Sequence, residues 1–290
     1  MVDYHTKRVD QETVEDVQAG NRDWWTSHTM SYDWTDRIGH EQFSAEWYDE
    51  MDERFIYASR LFATETQPFD KLIPFEQLRG KRVLEVGCGM GLHTELMVRA
   101  GAEVTAIDLS PVSVESTRRR LEIRGLQATV LESDAEKLPF ADGSFDFVWS
   151  WGVIHHSSRT GRAAREIARV LKPDGECRIM VYNRGGLSTV VGVLRDQVFR
   201  LGLGRRSIEE SLYRSTDGFS ARFYVREQFE DLFRSFFRDV SSELCGSDVD
   251  AVPLPSRLRT AVCRVLPDSY LRYAVSRWGG FLFLTAKNPD

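Results

Sequence analysis

The sequence predicts an α/β protein built on a Rossmann-like, doubly wound, mostly parallel sheet, with an N-terminal helical and aromatic cap and inserted segments. Three observations carry this expectation. Short apolar runs alternate with amphipathic segments between residues 80 and 183, which is the pattern of a parallel sheet with covering helices. The first run ends in a glycine loop. The segments between runs close at a glycine or at a Pro-Asp-Gly turn, where helices commonly stop.

Taken in order, Arg82–Val86 is a short strand ending in Gly87-Cys88-Gly89-Met90-Gly91. A helix follows from Leu92 to Ala100, stopped by Gly101. Val104–Asp108 reads as the second strand and Pro111–Arg124 as the second helix, closed by Gly125. Ala128–Glu132 makes a third strand. Asp142-Gly143 is a turn, and Phe145–Trp151 a fourth strand rich in aromatic residues and Val. Gly161–Leu171 is an amphipathic helix ended by the Lys172-Pro173-Asp174-Gly175 turn, and Glu176–Tyr182 is the fifth strand. Ligands of such sheets bind beyond the carboxyl ends of the strands, near the point where strand order reverses. Further on, Tyr224–Phe237 reads as a helix, Val240–Cys245 as a strand and Gly280–Lys287 as a closing strand. The expected organisation is a cap or lid over 1–75 and one main domain over 76–290, with insertions at 185–222 and 247–278.

Composition narrows the function. The chain has 290 residues, 42% apolar and 28% charged, so a sizeable core can form and disorder is not expected. Its formal charge of −6 argues against a general nucleic-acid binder, which draws affinity from a basic excess. Apolar runs such as Thr189–Leu194 fall far short of the roughly 18 residues of a membrane span. The first ten residues carry no apolar signal region. Cys88, Cys177, Cys245 and Cys263 are scattered, which suggests neither a zinc site nor a disulfide framework. A soluble protein of a reducing cytoplasm, monomeric or homodimeric, with no nucleic-acid or membrane partner, is the expectation.

The glycine loop is the first chemical signal. Glycines after a strand let the backbone turn tightly and approach a ligand seated on the following helix N-terminus. Such turns also occur without ligands. The dinucleotide fingerprint needs a third glycine where Leu92 stands, and a phosphate loop needs Gly-Lys-Ser/Thr where His93-Thr94 stands. Both phosphate-binding alternatives are weakened.

In Val83-Leu84-Glu85-Val86-Gly87-Cys88-Gly89-Met90-Gly91, the chain resembles the class I S-adenosylmethionine-dependent methyltransferases. The resemblance continues through Asp108, Asp134-Ala135-Glu136 before Leu138-Pro139-Phe140, Asp142-Gly143-Ser144-Phe145-Asp146-Phe147-Val148, His155-His156 and Arg169–Gly175. It covers about 80–183, and Asp174 replaces a frequent Gly in the last turn. It implies the seven-stranded methyltransferase fold, the cofactor S-adenosyl-L-methionine and a small-molecule acceptor. By that resemblance Glu85, Gly87, Cys88, Gly89 and Gly91 surround the methionine and ribose. Asp108 accepts both ribose hydroxyls, which agrees with a carboxylate at the tip of the second strand. Leu109 packs on the adenine, Asp134 accepts its amino group, and Ala135 offers a backbone N–H. Ser150 or Trp151 lies near the reacting methyl. Without a ligand, Asp108 reads as a helix N-cap and Asp134 as a turn residue.

Methyl transfer from a sulfonium needs positioning above all, and a base only where the acceptor must lose a proton. His155 and His156, just past the fourth strand, are the candidates, since imidazole titrates near neutrality. A packing role is the alternative for either. His93 is expected to be structural. No carboxylate cluster stands out for a metal, so none is expected.

The acceptor's surroundings are less defined. Trp24, Trp25, Trp34, Trp47, Tyr32 and Phe43 form either a lid or a cap core. Tyr32, Tyr48 or Arg60 is a candidate holder of the cofactor carboxylate. Arginines 195, 200, 205, 206, 214, 222 and 226 would suit an anionic acceptor or a solvated face. Leu187–Phe199, apolar on one side, would suit an apolar acceptor or a dimer contact. Methylation of a small molecule, with oxygen ahead of carbon or nitrogen, is the leading expectation. A methyltransferase acting on RNA or protein, a non-catalytic regulator or scaffold, and a dehydrogenase are the competitors.

Overall fold

The computed structural model describes residues 13–28, 30, 38–199, 207–214 and 218–289. Tyr32 and Trp34, and Arg200, Arg205 and Arg206, lie outside them. Two helices lead the chain, α1 (Val14–Ser27) and α2 (Ala45–Ser59), followed by the short α3 (Phe75–Leu78). Then come β1 (Arg82–Val86), α4 (Leu92–Arg99), β2 (Glu103–Asp108), α5 (Pro111–Arg124), β3 (Thr129–Glu132), β4 (Phe145–Trp151), α6 (Thr160–Val170) and β5 (Leu171–Asn183). The remainder is α7 (Leu187–Phe199), α8 (Ile208–Arg214), β6 (Phe223–Tyr224), α9 (Arg226–Arg234), β7 (Arg238–Cys245), α10 (Asp248–Ala251), α11 (Ser256–Val265), α12 (Asp268–Trp278) and β8 (Phe281–Lys287).

The strands form one sheet in the order β3-β2-β1-β4-β5-β8-β7, with β6 beside the end of β5. Pairs from β3 through β5 are parallel, and β8 runs antiparallel between β5 and β7. Strand order reverses between β1 and β4, so the connections leaving these neighbours diverge and open a crevice at their carboxyl ends. Both faces are covered, which is why the central strands read as near-continuous apolar runs. Val83, Phe147 and Trp149 pack on one face with Phe69, Met97 and Phe283. Leu84 and Val148 pack on the other with Ile167, Phe229 and Phe233.

Two local differences from the sequence reading have clear causes. β5 begins at Leu171, which already pairs with Phe145; the Pro-Asp-Gly turn sits inside the strand as an irregularity, and pairing resumes at Glu176 with Phe147. Pro173 has no N–H to donate, and Asp174 adopts φ 59, so the ladder must shift there. The expected helix at Tyr224 starts instead at Arg226, because Phe223 and Tyr224 pair with Tyr182 and Asn183 as β6.

The N-terminal helices are tied to the domain by ions and rings. Arg120 of α5, 1% exposed, binds both carboxylate oxygens of Asp52 on α2 and, at 2.7 Å, Glu95 on α4. Its guanidinium also lies over the Tyr48 ring, 5.3 Å from the centroid. The described parts of the two insertions are largely helical, and α7 exposes Val190, Leu194 and Val198 along one face. Among the described residues, no helix is long and apolar enough to cross a membrane.

Candidate active site

A cavity of about 300 Å³ runs over the carboxyl ends of the strands, from the loop after β3 to the start of β8. Its centre is the loop after β1. Gly87, Gly89 and Gly91 have φ of 83°, 51° and 84°, a region that favours glycine. The N–H groups of Gly87 and Cys88 donate to the Ile107 carbonyl at 2.8 and 3.0 Å, which pins the loop against β2. A side chain at Gly87 would strike Val153, whereas Gly89 has open space where a Cβ would stand. Cys88 lines the cavity, and burial pushes its thiol well above the ordinary range.

Asp108 ends β2 within reach of this loop. One carboxylate oxygen accepts the Gly89 N–H and the other the Ser110 N–H, each at 2.9 Å. Burial raises its pKa above the usual carboxylate value, against the pull of those N–H groups. Asp134, after β3, accepts from the Gln18 side chain and the Glu136 N–H, both at 2.8 Å. Burial raises its pKa too. Leu109 and Ala135 complete this end of the wall.

Three expected site residues stand behind the wall. Glu85 is 1% exposed, takes a hydrogen bond from the Thr94 hydroxyl and lies 3.7 Å from His93. Burial, with the Asp108 charge adding to it, pushes Glu85 up to about 8, so it supports the loop from beneath as a neutral acid at pH 7. Ser150 is fully buried on β4, its hydroxyl without a partner, while its neighbour Trp151 reaches the cavity. His155 is also fully buried, with no hydrogen bond to either ring nitrogen. Burial and the neighbouring His156 hold it well below the usual histidine value. Of the expected pair, His156 lines the cavity and His155 does not.

His156 lines the cavity, its Nδ1 2.7 Å from the Ser220 carbonyl. A carbonyl only accepts, so in the neutral ring Nδ1 carries the hydrogen and Nε2 the lone pair. Trp25 packs its edge against the ring, 5.1 Å between centroids. His93 is buried among Phe55, Phe69, Trp149 and Trp151, and burial lowers it to about 3, which fits a structural role.

Sequence reasoning missed two residues that organise the site. Gln18 bridges Asp134 and the Ser158 N–H, and Asn21 donates to the His156 carbonyl. The signal was present: residues 18, 21 and 25 share one face of a helix. Of the candidate carboxylate holders, the two described ones are engaged elsewhere. Tyr48 is buried with its hydroxyl on the Ser116 carbonyl, and Arg60 binds Asp248. Among the described residues no Lys or Arg lines the cavity, and no group of three or more His, Cys, Asp or Glu could hold a metal ion.

The methyltransferase-domain family matches residues 84–179, from β1 into β5. The chain is 32% identical over 172 residues to the biotin biosynthesis bifunctional protein BioHC of Cellvibrio japonicus, covering 58% of this chain and 33% of that protein. It is 39% identical over 112 residues to the ubiquinone biosynthesis O-methyltransferase of Xanthomonas oryzae, covering 37% and 45%. The chain thus spans less than half the length of these curated relatives. A solved SAM-dependent methyltransferase of Thermotoga maritima aligns with a TM-score of 0.51 at 20% identity, over 83% of this chain and 96% of that one, a likeness of fold. By its glycine loop, its strand order and that family match, residues 84–179 of the chain form a methyltransferase domain, similar to those of the class I S-adenosylmethionine-dependent methyltransferases.

Proposed function

We propose that this protein transfers the methyl group of S-adenosylmethionine to an oxygen atom of a small-molecule acceptor. The observation that carries the reading is the pairing of the glycine loop with Asp108. Its two oxygens each hold one backbone N–H and retain acceptor capacity, on a buried carboxylate that gains from further donors. A ribose diol supplies two. Open space beside Gly89 leaves room for the sugar and the chain beyond it. Asp134 and the Ala135 N–H would meet the adenine, and Leu109 its face.

Bound there, the cofactor supplies an electrophilic methyl on a good leaving group. The protein's part is then alignment and proton removal. Trp151, at the tip of β4, and the glycine loop would bracket the sulfonium end. His156, its Nδ1 hydrogen fixed on Ser220, would accept the acceptor's hydroxyl proton at Nε2. Helix α1, through Gln18, Asn21 and Trp25, would act as the lid of the N-terminal segment and limit water.

Calorimetric titration with S-adenosylhomocysteine and NAD, then a methyl-transfer screen of hydroxylated metabolites, tests this reading. One S-adenosylhomocysteine per chain and no NAD binding are expected. NAD binding in its place would overturn the proposal.

A further inference from the structure

We infer that the half of the cavity over β4, β5 and β8 is an acceptor subsite for an uncharged, apolar molecule, a ring or alkyl chain bearing the hydroxyl to be methylated. This rests on the methyl-transfer reading above. The nucleoside end is already defined by Asp108 and Asp134, and the opposite end is different in kind. Its walls are Phe55, Phe62, Trp151, Met180, Tyr182 and Phe281. They come from five separate parts of the chain, which makes this a built pocket and not one helix's apolar stripe.

Near that half, Ser59 and Asp52 are occupied within the protein, and the buried His93 ring, whose Nε2 has no partner, is uncharged. The Ser59 hydroxyl donates to the Phe55 carbonyl at 2.8 Å, and both Asp52 oxygens bind Arg120. A charged ligand group entering here would give up water without gaining a counter-charge. The nearby guanidinium groups are likewise engaged. Arg60 binds Asp248, Arg178 binds Glu176 and the Leu72 carbonyl, and Arg222 binds the Ser157 and Ser158 carbonyls. Asp52, Asp108 and Asp134 are the charged side chains in the described wall, a bias that disfavours anions. The arginines of the first insertion that pointed to an anionic acceptor do not reach it among the described residues.

A cation cage is also a poor description. Such a cage presents open ring faces to the ligand. Here Trp151 already lies parallel to two neighbouring rings, Phe62 (5.8 Å, 6°) and Trp149 (5.8 Å, 10°). The surrounding aromatic rings and the Met180 side chain suit apolar contact. Tyr182 stands edge-on to His156 at 5.9 Å, so a hydroxyl at the inner end of the subsite comes beside the base.

The test uses the full chain saturated with S-adenosylhomocysteine, titrated calorimetrically with 4-butylphenol, 4-hydroxyphenylpropionate and tyramine. The neutral phenol should bind at least about tenfold tighter than either charged analogue, a difference of about 1.4 kcal/mol. Phe62→Ser and Phe281→Ser should each weaken it about fivefold or more while S-adenosylhomocysteine affinity stays within about twofold, which also reports that the variants are folded. Equal or tighter binding of the carboxylate or the amine by the unmodified chain overturns the inference, whatever the variants do. So does unchanged phenol binding in both variants. The cofactor titration is separate: if S-adenosylhomocysteine fails to bind while the phenol binds with the same Phe62 and Phe281 dependence, the apolar pocket stands and the methyl-transfer reading falls.

Discussion

Asp108 sits where two backbone N–H groups hold its oxygens, so its orientation is set before any ligand arrives. Asp108→Ala should weaken S-adenosylhomocysteine binding by about 1.5–3 kcal/mol, the scale of hydrogen bonds to a charged group. An unchanged dissociation constant in the folded variant would separate Asp108 from the ribose. Burial raises its pKa, so on acidification the carboxylate is protonated earlier than an ordinary Asp and loses an acceptor position. Affinity should therefore be flat at neutral pH and fall as pH drops through that raised value. Asp134 shares the direction, so Asp108→Asn should reduce the slope without removing it. For proton transfer the two histidines should part company. His156→Gln should lower turnover by about 10²–10⁴-fold with cofactor affinity kept. His155→Gln should leave the chemical step intact and act, if at all, on stability, since that ring is buried and does not line the cavity. Single-turnover rates of both variants decide it, and equal losses would sink the assignment.

The helices are where the N-terminal segment is held. Arg120 joins α2, α4 and α5 through Asp52 and Glu95, and all three groups are largely out of water. Removing the cation strands the Asp52 carboxylate and leaves Glu95 to Arg99 and Arg124, and breaking such a buried pair typically costs about 3–5 kcal/mol. Arg120→Leu should show that loss in urea unfolding; a loss under about 1 kcal/mol would mean that α2 is held by its apolar face alone. Helix α1 is attached differently. Gln18 and Asn21 reach groups of the cavity wall, and Arg22 pairs with Glu132 at the surface. A lid should close harder over its ligand, so amide exchange in α1 should slow about tenfold or more on adding S-adenosylhomocysteine. Exchange unaffected by the ligand would make α1 a fixed wall.

For the whole molecule, the sheet's reversal point creates the cavity, and a buried acid lies under it. Glu85 is pushed from 4.5 up to about 8, so the fold holds a proton that the unfolded chain gives up. That stability is present in full below the unfolded value near 4.5 and is lost as pH rises through about 8. Glu85→Gln stays neutral at every pH. Its Tm should decline less than that of the unmodified chain between pH 6 and 9, by roughly 2–4 °C for each kcal/mol recovered. Parallel declines in scanning calorimetry would place the alkaline sensitivity elsewhere.

The sequence by itself determined the alternating core and the glycine loop, because strand runs, helix stops and positive-φ turns are local properties of a few neighbouring residues. Arg82–Val86 and Phe145–Trp151 read correctly to the residue for that reason. Asp108 and Asp134 were legible as carboxylates at strand ends. Only the tertiary structure separated His155 from His156 and Ser150 from Trp151. Adjacent residues at a strand end point to opposite sides of the sheet layer or follow the path of the next turn, and one faces the cavity while the other enters the core. The tertiary structure also decided that β5 runs through its Pro-Asp-Gly turn, since Leu171 finds its partner on β4, 26 positions earlier. The character of the acceptor half was out of reach of any local reading. It arises where Phe55, Trp151 and Phe281 meet, residues that share no motif and come together only because the sheet brings the ends of distant strands under α2.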